Sequence, residues 1–301
     1  TMVSKEQITA IDDGLLVLAP AKINLSLLVA GKRPDGYHEI ETIMAKVDFF
    51  DELLIRQGNK TGIELLCKGP QWAPPGRENL VYRAAEIFFS VCGQKADISI
   101  TLTKNIPAGS GLGSGSSDAA ATLVGLNKYL DAQLPNQWLT EAASQLGSDV
   151  AFFLDGPVAF CTGKGEKIKK IKEIFNFLVL LVLPGVSVST KMVYDNYKHN
   201  QILYEKLSSQ INGYIEKNRI DLVADMCANM LEKGCFSLAE SIAELKAKIM
   251  SFDIGPCCLS GSGSTLFCLI KSGDEEIARH YKLVLEEKIG CKSIIASNNR
   301  W

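Results

Sequence analysis

The run Pro107-Ala-Gly-Ser-Gly-Leu-Gly-Ser-Gly-Ser-Ser117 carries the clearest chemistry in this 301-residue chain. Four glycines alternate with small residues, two serines close the run, and Asp118-Ala-Ala-Ala121 opens a helix-forming stretch. Upstream, Ile98-Ser-Ile-Thr-Leu-Thr103 alternates like a half-buried strand. A strand, a glycine-rich turn and a helix start together make an anion site. Bare backbone N–H groups approach the ligand there, and the helix end adds partial positive charge. Phosphate is the ligand this pattern predicts.

Other readings of the loop fit less well. A Walker A loop needs Lys-Ser/Thr after its last glycine, and none follows here. A dinucleotide-binding turn wants an acid about 20 positions on, at the end of a second strand. Asp131 stands near that distance, but it terminates a helical stretch and no strand precedes it. A flexible linker would not separate a strand from an amphipathic helix.

Three further places could do chemistry. Pro20-Ala-Lys-Ile-Asn24 sets Lys22 where one apolar segment meets the next, as a snorkelling edge lysine or as a charge for a phosphoryl group. Asp149 reads either as an acid favouring a helix macrodipole or as the group that orients and deprotonates an attacking hydroxyl. Tyr37-His38 follows a turn and reads as structural or as a pair that stacks on and hydrogen-bonds a planar base. Ser260-Gly-Ser-Gly-Ser264 is a second small-residue turn, either a tight hairpin or another wall of a phosphate cleft.

The elements that must position these residues follow from periodicity. Leu15 to Ala19 and Ile23 to Val29 read as strands separated at Pro20-Ala-Lys22, and Ile40 to Val47 and Glu52 to Arg56 as two more. Lys32 to Gly36 is a turn, and Gly69 to Gly76, with its prolines, is a loop. Leu80 to Cys92 is a helix. Ala120, Leu123, Leu126 and Leu130 form the buried stripe of another. Trp138 to Leu146 is a helix, and Ser148 is placed to cap a short one over Asp149 to Phe153. Val158 to Thr162 is a strand ending at the Gly163-Lys-Gly165 turn. Phe177 to Leu183 is a fully apolar strand ending at Pro184-Gly185. Helices are predicted over Tyr204 to Tyr214, Asp221 to Leu231, Leu238 to Met250 and Glu275 to Lys288. Strands are predicted over Cys257 to Leu259, Leu266 to Ile270 and Lys292 to Ala296. Strands and helices mix without strict alternation, which makes the chain α+β, and its length suits two domains. The division is set at residues 1–170 and 171–301.

Charge excludes some partners. With 32 basic and 34 acidic residues the net charge is −2, so no global field attracts nucleic acid or anionic membrane. The densest basic cluster, Lys164 to Lys172 with Ile168, Ile171 and Ile174 interleaved, reads as a solvated strand or as a cationic rim for polyphosphate. Leu15 to Leu18 is too short for a signal core, and no segment approaches the roughly 20 apolar residues of a membrane span. The nine cysteines contain no C-x-x-C pair. They read as reduced, mostly buried hydrophobes of a cytoplasmic protein.

Taken together, Pro20 to Leu25, Pro107 to Ala120 and Ser260 to Thr265 resemble the three blocks of the GHMP kinase superfamily, spread over nearly the whole chain. Arg33-Pro-Asp-Gly-Tyr-His38, Gly147-Ser-Asp-Val150 and Pro184-Gly185 resemble one branch of it, whose small-molecule alcohol carries a cytidine diphosphate head group. Pro-Asp-Gly-Tyr-His is the discriminating block. The resemblance implies a ribosomal-S5-like N-terminal ATP-binding domain, a ferredoxin-like C-terminal domain and a cleft between them. It implies ATP and Mg²⁺ as cofactors and a 2-hydroxyl as acceptor. Asp149 would be the base and Lys22 its charged partner. Pro107, Gly109, Ser110, Gly111, Leu112, Gly113, Ser114, Gly115, Ser116 and Ser117 would wrap the ATP phosphates, with Asn79 and Lys104 near the adenosine. Tyr37, His38 and Tyr194 would hold the cytosine, with Asn24 close to the substrate. The chain departs from the family at Gly109-Ser110, where small residues such as alanine are common, and at Ser264, where a proline is frequent. Two other functions fit the residues: another small-molecule kinase of the superfamily, or a phosphate-binding protein without catalysis.

Overall fold

The computed structural model describes residues 6–172, 175–270, 273–299 and 301. Its first half comprises β1 (Ile8–Ile11), β2 (Gly14–Lys32), β3 (His38–Gln57), β4 (Gly62–Lys68), α1 (Leu80–Cys92), β5 (Asp97–Thr103), α2 (Ser114–Tyr129), α3 (Asn136–Leu146), α4 (Val150–Leu154), β6 (Val158–Gly163) and β7 (Lys167–Lys170). The strands form one sheet in the order β1-β2-β3-β5-β4, with β6 on the other stretch of β3 and β7 outside it. All pairs are antiparallel except β4 with β5.

The second half comprises β8 (Leu178–Leu183), α5 (Thr190–Asp195), α6 (Gln201–Glu216), α7 (Ile220–Met226), α8 (Glu232–Leu238), α9 (Glu240–Met250), β9 (Cys257–Leu259), β10 (Leu266–Ile270), α10 (Glu275–Ile289) and β11 (Lys292–Ser297). Its strands form an antiparallel sheet, β11-β8-β10-β9. Every residue of β8 is buried, as its unbroken apolar run requires. The architecture is the two-domain α+β fold expected from the sequence.

The hairpin of β2 and β3 departs from expectation, because each arm is one long strand where two were predicted. Pro20 lacks an N–H, yet the pairing continues through a register shift between Pro20 and Ala21 that leaves Asp48 and Phe49 unmatched on β3. The two halves of β2 then serve different cores. Leu15, Val17 and Ala19 pack with α1 to α4, whereas Ala21 to Val29 join the core built on β8 and its neighbours. A strand buried on both faces shows no polar alternation, which is why its period gave little guidance.

Local rules account for most of the remaining boundaries. Asn79 caps α1 by accepting the Val81 N–H at 2.9 Å, and Gly93 ends it in the left-handed region. The helix expected over Asp221 to Leu231 stops at Met226. There Cys227 turns to φ 45° and the chain leaves to pair with β2. Leu27 donates to the Ala228 carbonyl at 2.7 Å, and Met230 donates back to Leu27 at 2.9 Å. The helix expected over Leu238 to Met250 begins only at Glu240, after a break at Ala239 that ends α8. Strands β1 and β4 and helices α5 and α8 went unforeseen, being short or weakly periodic. Lys167–Lys170 form an outer strand with exposed lysines, while Ile174 lies outside the described residues.

One expectation fails outright. Cys227 and Cys258 are joined by a disulfide across Cα atoms 5.1 Å apart. The expectation of reduced thiols rested on compartment, and sequence spacing holds no sign that the end of α7 abuts β9. The other seven cysteines are free and buried or half-buried. Among the described residues no helix is long and apolar enough to cross a membrane.

Candidate active site

The separate motifs meet in one cleft of about 730 Å³ between the two halves. Its floor is the β2–β3 hairpin, where Lys22 and Asn24 face inward beside the alternate residues His38, Ile40, Thr42 and Met44. The glycine loop and the start of α2 form one wall, and Ser148 and Asp149 stand beside it. Thr190 and Tyr194 of α5, with the Gly261–Ser262 turn, close the other side.

Lys22 is 4% exposed, a charged side chain withdrawn from water. Its Nζ donates to Asn24 Oδ1 at 2.5 Å and lies 3.8 Å from Asp149 Oδ2. Asn24 donates in turn to Thr42 Oγ1 at 2.8 Å, and Thr42 donates to the Ser26 carbonyl at 2.6 Å, so the lysine is held by a chain of oriented groups. Burial holds the Lys22 ammonium below its ordinary range, against the opposing pull of Asp149 and then Cys161. Asp149 occupies the N-cap position of α4 but makes no side-chain cap bond, and its side chain is 34% exposed. The expected cap from Ser148 does not form, because α4 begins one residue later than expected, at Val150.

Two of the loop's glycines, Gly111 and Gly113, are required by contact. Gly113 caps α2 with φ 71°, and a Cβ there would meet Phe153 Cζ at 2.9 Å and Lys22 Cγ at 3.0 Å. At Gly111, φ 81°, a Cβ would overlap the Ser260 carbonyl. The loop is pinned from both sides. Lys22 N donates to the Leu112 carbonyl at 2.9 Å, Ser260 Oγ to Gly111 at 2.9 Å, and Thr265 N to Ser110 at 3.0 Å. The three blocks, far apart in sequence, thus touch one another directly.

At the far end, His38 stacks on Tyr194 with ring centroids 5.0 Å apart and planes 27° apart, and Tyr197 meets His38 edge-on at 6.0 Å. Tyr37 is exposed, with Lys164 Nζ 4.9 Å from its ring centroid. Burial lowers the His38 pKa, Lys32 adds to that, and Asp195 opposes it, which favours the neutral imidazole. Burial, then Asp149 and Tyr197, push the Tyr194 phenol up and keep it a hydrogen-bond donor. A flat, aromatic, hydrogen-bonding slot results.

The structure does not bring every nominated residue into the cleft wall. Asn79 is the cap of α1 and donates to the Pro74 carbonyl at 2.8 Å. Lys104 is buried in contact with Asp51, Asp118 and Ser114. Neither lines the cavity, so geometry gives no support to contact with an adenosine. Pro107, Leu112 and Ser117 also lie behind the wall, while Gly109, Ser110, Gly111, Gly113, Ser114, Gly115 and Ser116 face it. The wall also holds Thr42, Lys164, Thr190 and Lys191, which had not been singled out as site residues, and Ser262, from the turn read as a tight hairpin or a second wall. Counting by twos along β3 from His38 would have found Thr42. Lys164, flanked by two glycines, stood in the basic cluster. Thr190 pairs with Ser262 at 2.9 Å, a contact with no signal in sequence.

Comparison with known proteins places this geometry. Residues 79–157 match the model for the N-terminal domain of GHMP kinases, and residues 211–284 match that for the GHMP kinase C-terminal domain. A 4-diphosphocytidyl-2-C-methyl-D-erythritol kinase of Bacillus cereus is 40% identical over 256 residues, 85% of this chain and 88% of that protein. A protein of the same name from Bacillus anthracis matches equally. The crystal structure of a 4-(cytidine 5'-diphospho)-2C-methyl-D-erythritol kinase superimposes with TM-score 0.76 and 30% identity, covering 95% of this chain and 100% of that one. Homoserine kinase from Cytophaga hutchinsonii shares the fold, with TM-score 0.74 and 20% identity over 98% of both chains.

Proposed function

The chain belongs to the GHMP kinase family, and from that premise we propose that it transfers the γ-phosphoryl group of ATP to the 2-hydroxyl of 4-diphosphocytidyl-2-C-methyl-D-erythritol, a step toward isoprenoid precursors. One juxtaposition carries the reading. Lys22 and Asp149 lie 3.8 Å apart, with a glycine-loop wall on one side and the His38–Tyr194 slot along the same floor. The first wall suits a triphosphate and the slot suits a pyrimidine, so the pair between them is where a phosphoryl group meets an alcohol.

In this reading the acceptor's cytosine lies against Tyr37, His38 and Tyr194, and its polyol reaches Asn24. Asp149 orients the 2-hydroxyl and takes its proton as the oxygen bonds to the γ-phosphorus and the bond to the ADP oxygen breaks. Lys22 offsets charge on the reacting oxygens. Its partial desolvation strengthens that interaction, because no water competes for the ammonium. The loop amides and the start of α2 hold the donor's phosphates in line.

Mg²⁺ belongs to the same proposal. Ser116 and Asp149 offer oxygen donors on the wall, and Ser117 Oγ is buried at the helix start without a hydrogen-bond partner. Among the described residues no group of three or more His, Cys, Asp or Glu could hold a metal. When bound, the ion neutralises charge on the phosphate oxygens. A cytoplasmic location is part of the proposal, since both substrates are nucleotide derivatives.

The test is ATP-dependent ADP release with the cytidylated alcohol, run against mevalonate and homoserine. Turnover with the cytidylated substrate and not with the other two is expected. Comparable turnover with either control would remove the assignment of the acceptor.

A further inference from the structure

Behind the glycine loop lies an ion cluster that the reaction itself does not use. Lys104 Nζ contacts Asp51 Oδ2, Ser114 Oγ and Asp118 Oδ2, the last at 2.6 Å, and all four side chains are buried. Ser114 Oγ also donates to Asp51 Oδ2 at 3.0 Å. The other carboxylate oxygen of Asp51 accepts the backbone N–H groups of Asn105 at 2.5 Å and Ile106 at 2.9 Å. Asn105 and Ile106 are the residues entering the loop, and Ser114 is the first residue of α2 leaving it.

We propose that Asp51, Lys104, Asp118 and Ser114 form a clamp that holds both ends of the glycine loop in its phosphate-binding shape, and that Asp51 is its central positioning residue. The inference rests on the reading of this loop as the nucleotide wall. One carboxylate ties the loop's entry through its Oδ1 and the loop's exit through its Oδ2. A glycine-rich segment has more backbone freedom to lose than any other, so an untethered loop would lose it each time a nucleotide bound. Fixing both ends in advance removes that cost from binding, which is the effect of pre-organisation on affinity. A buried ammonium shared by two carboxylates suits the task, because losing it would leave those carboxylates away from water without a cation. Of the four clamp residues only Ser114 lines the cavity, on the glycine-loop wall; Asp51, Lys104 and Asp118 do not.

The arrangement separates the two substrates in a kinetic experiment. Asp51→Asn in the full chain keeps an oxygen for Asn105 and Ile106 but turns an amide toward Lys104, cutting the link to α2. The KM for ATP should rise by about tenfold or more, while the KM for the alcohol stays within about twofold. Amide hydrogen exchange over residues 105–114 should quicken in the free variant and slow again with saturating ATP. Asp118→Asn, milder and of the same shape, should move both readings the same way and decides the matter where Asp51→Asn does not fold. Parallel rises in both KM values, or an unchanged KM for ATP with unchanged loop exchange, would overturn the clamp. A wild-type chain without ATP-dependent turnover would instead defeat the functional reading, and loop exchange in the two variants would still test the clamp.

Discussion

At the scale of single residues, the site depends on two groups held in unusual company. Asp149 sits at a helix start without capping it, and Lys22 sits away from water without a close carboxylate bond. Removing the proposed base while keeping its shape, Asp149→Asn, should cut kcat on the order of 10²-fold or more, with little change in either KM. Near-normal turnover in single-turnover measurements would take the carboxylate out of the mechanism. Lys22 adds a pH signature. Burial lowers its pKa below the ordinary 10.5, so the charge proposed to meet the phosphoryl group is lost earlier on the alkaline side. The kcat profile should therefore fall with a midpoint below 10.5; a plateau through that value would show that the charge is not needed. These roles were only half legible in sequence. Lys22 and Asp149 each had an ordinary explanation, and only the fold shows that strand and helix bring them within 3.8 Å. Lys104, carried over by position to the neighbourhood of the adenosine, is buried against Asp51, Ser114 and Asp118 and does not line the cleft.

At the scale of elements, the short helix α4 is braced at both ends by one rung of the hairpin. Lys46 pairs with Lys22 in the β2–β3 register. Its Nζ donates to the carbonyls of Phe153 at 3.0 Å and Asp155 at 2.7 Å, at the end of α4 opposite Asp149. A cation suits a helix C-terminus, yet burial brings the Lys46 pKa down from 10.5 to about 7, with Asp155 opposing. The folded state therefore gives up this proton near pH 7, while the unfolded chain keeps it to 10.5. Between those values the unfolded state binds more protons, so stability rises with pH through that window and this group adds no slope below it. The melting temperature should climb from pH 7.5 to 9.5 in the wild type, and that increment should vanish in Lys46→Met. An identical climb in both would refute the assignment. Elements with strong local signals, such as α1 with its asparagine cap and β8 with its unbroken apolar run, were readable from sequence. The joined hairpin strands were not, because Pro20 is a reliable stop signal only where no partner strand supplies a bulge around it. The early end of α7 was equally hidden, being set by pairing with Leu27 some 200 residues away in sequence.

At the scale of the whole molecule, the second half is tied together beside the third motif. Asn229 donates to the carbonyls of Leu259 and Gly261, both at 2.8 Å, and the disulfide from Cys227 to Cys258 lies alongside. Closing a separation of 31 residues in the unfolded chain corresponds to about 3–4 kcal/mol in the loop-entropy account. Reductant should therefore lower the melting temperature of the wild type by several degrees and leave Cys258→Ser unmoved. Equal shifts in both proteins would show that the bond contributes nothing. The hairpin that spans both cores has a final consequence. Met44, Thr42, Ile40 and His38 line the cleft as every second residue of one strand. At the rise of a β-strand, the six steps from Met44 to His38 measure roughly 20 Å. In the proposed reaction the strand serves as a measuring rod, with phosphoryl chemistry near one mark and base recognition at the other, selecting an alcohol by its length as well as by its head group. Deleting a single residue from the middle of that rod would turn one end of the row to the opposite face and put the two marks out of register.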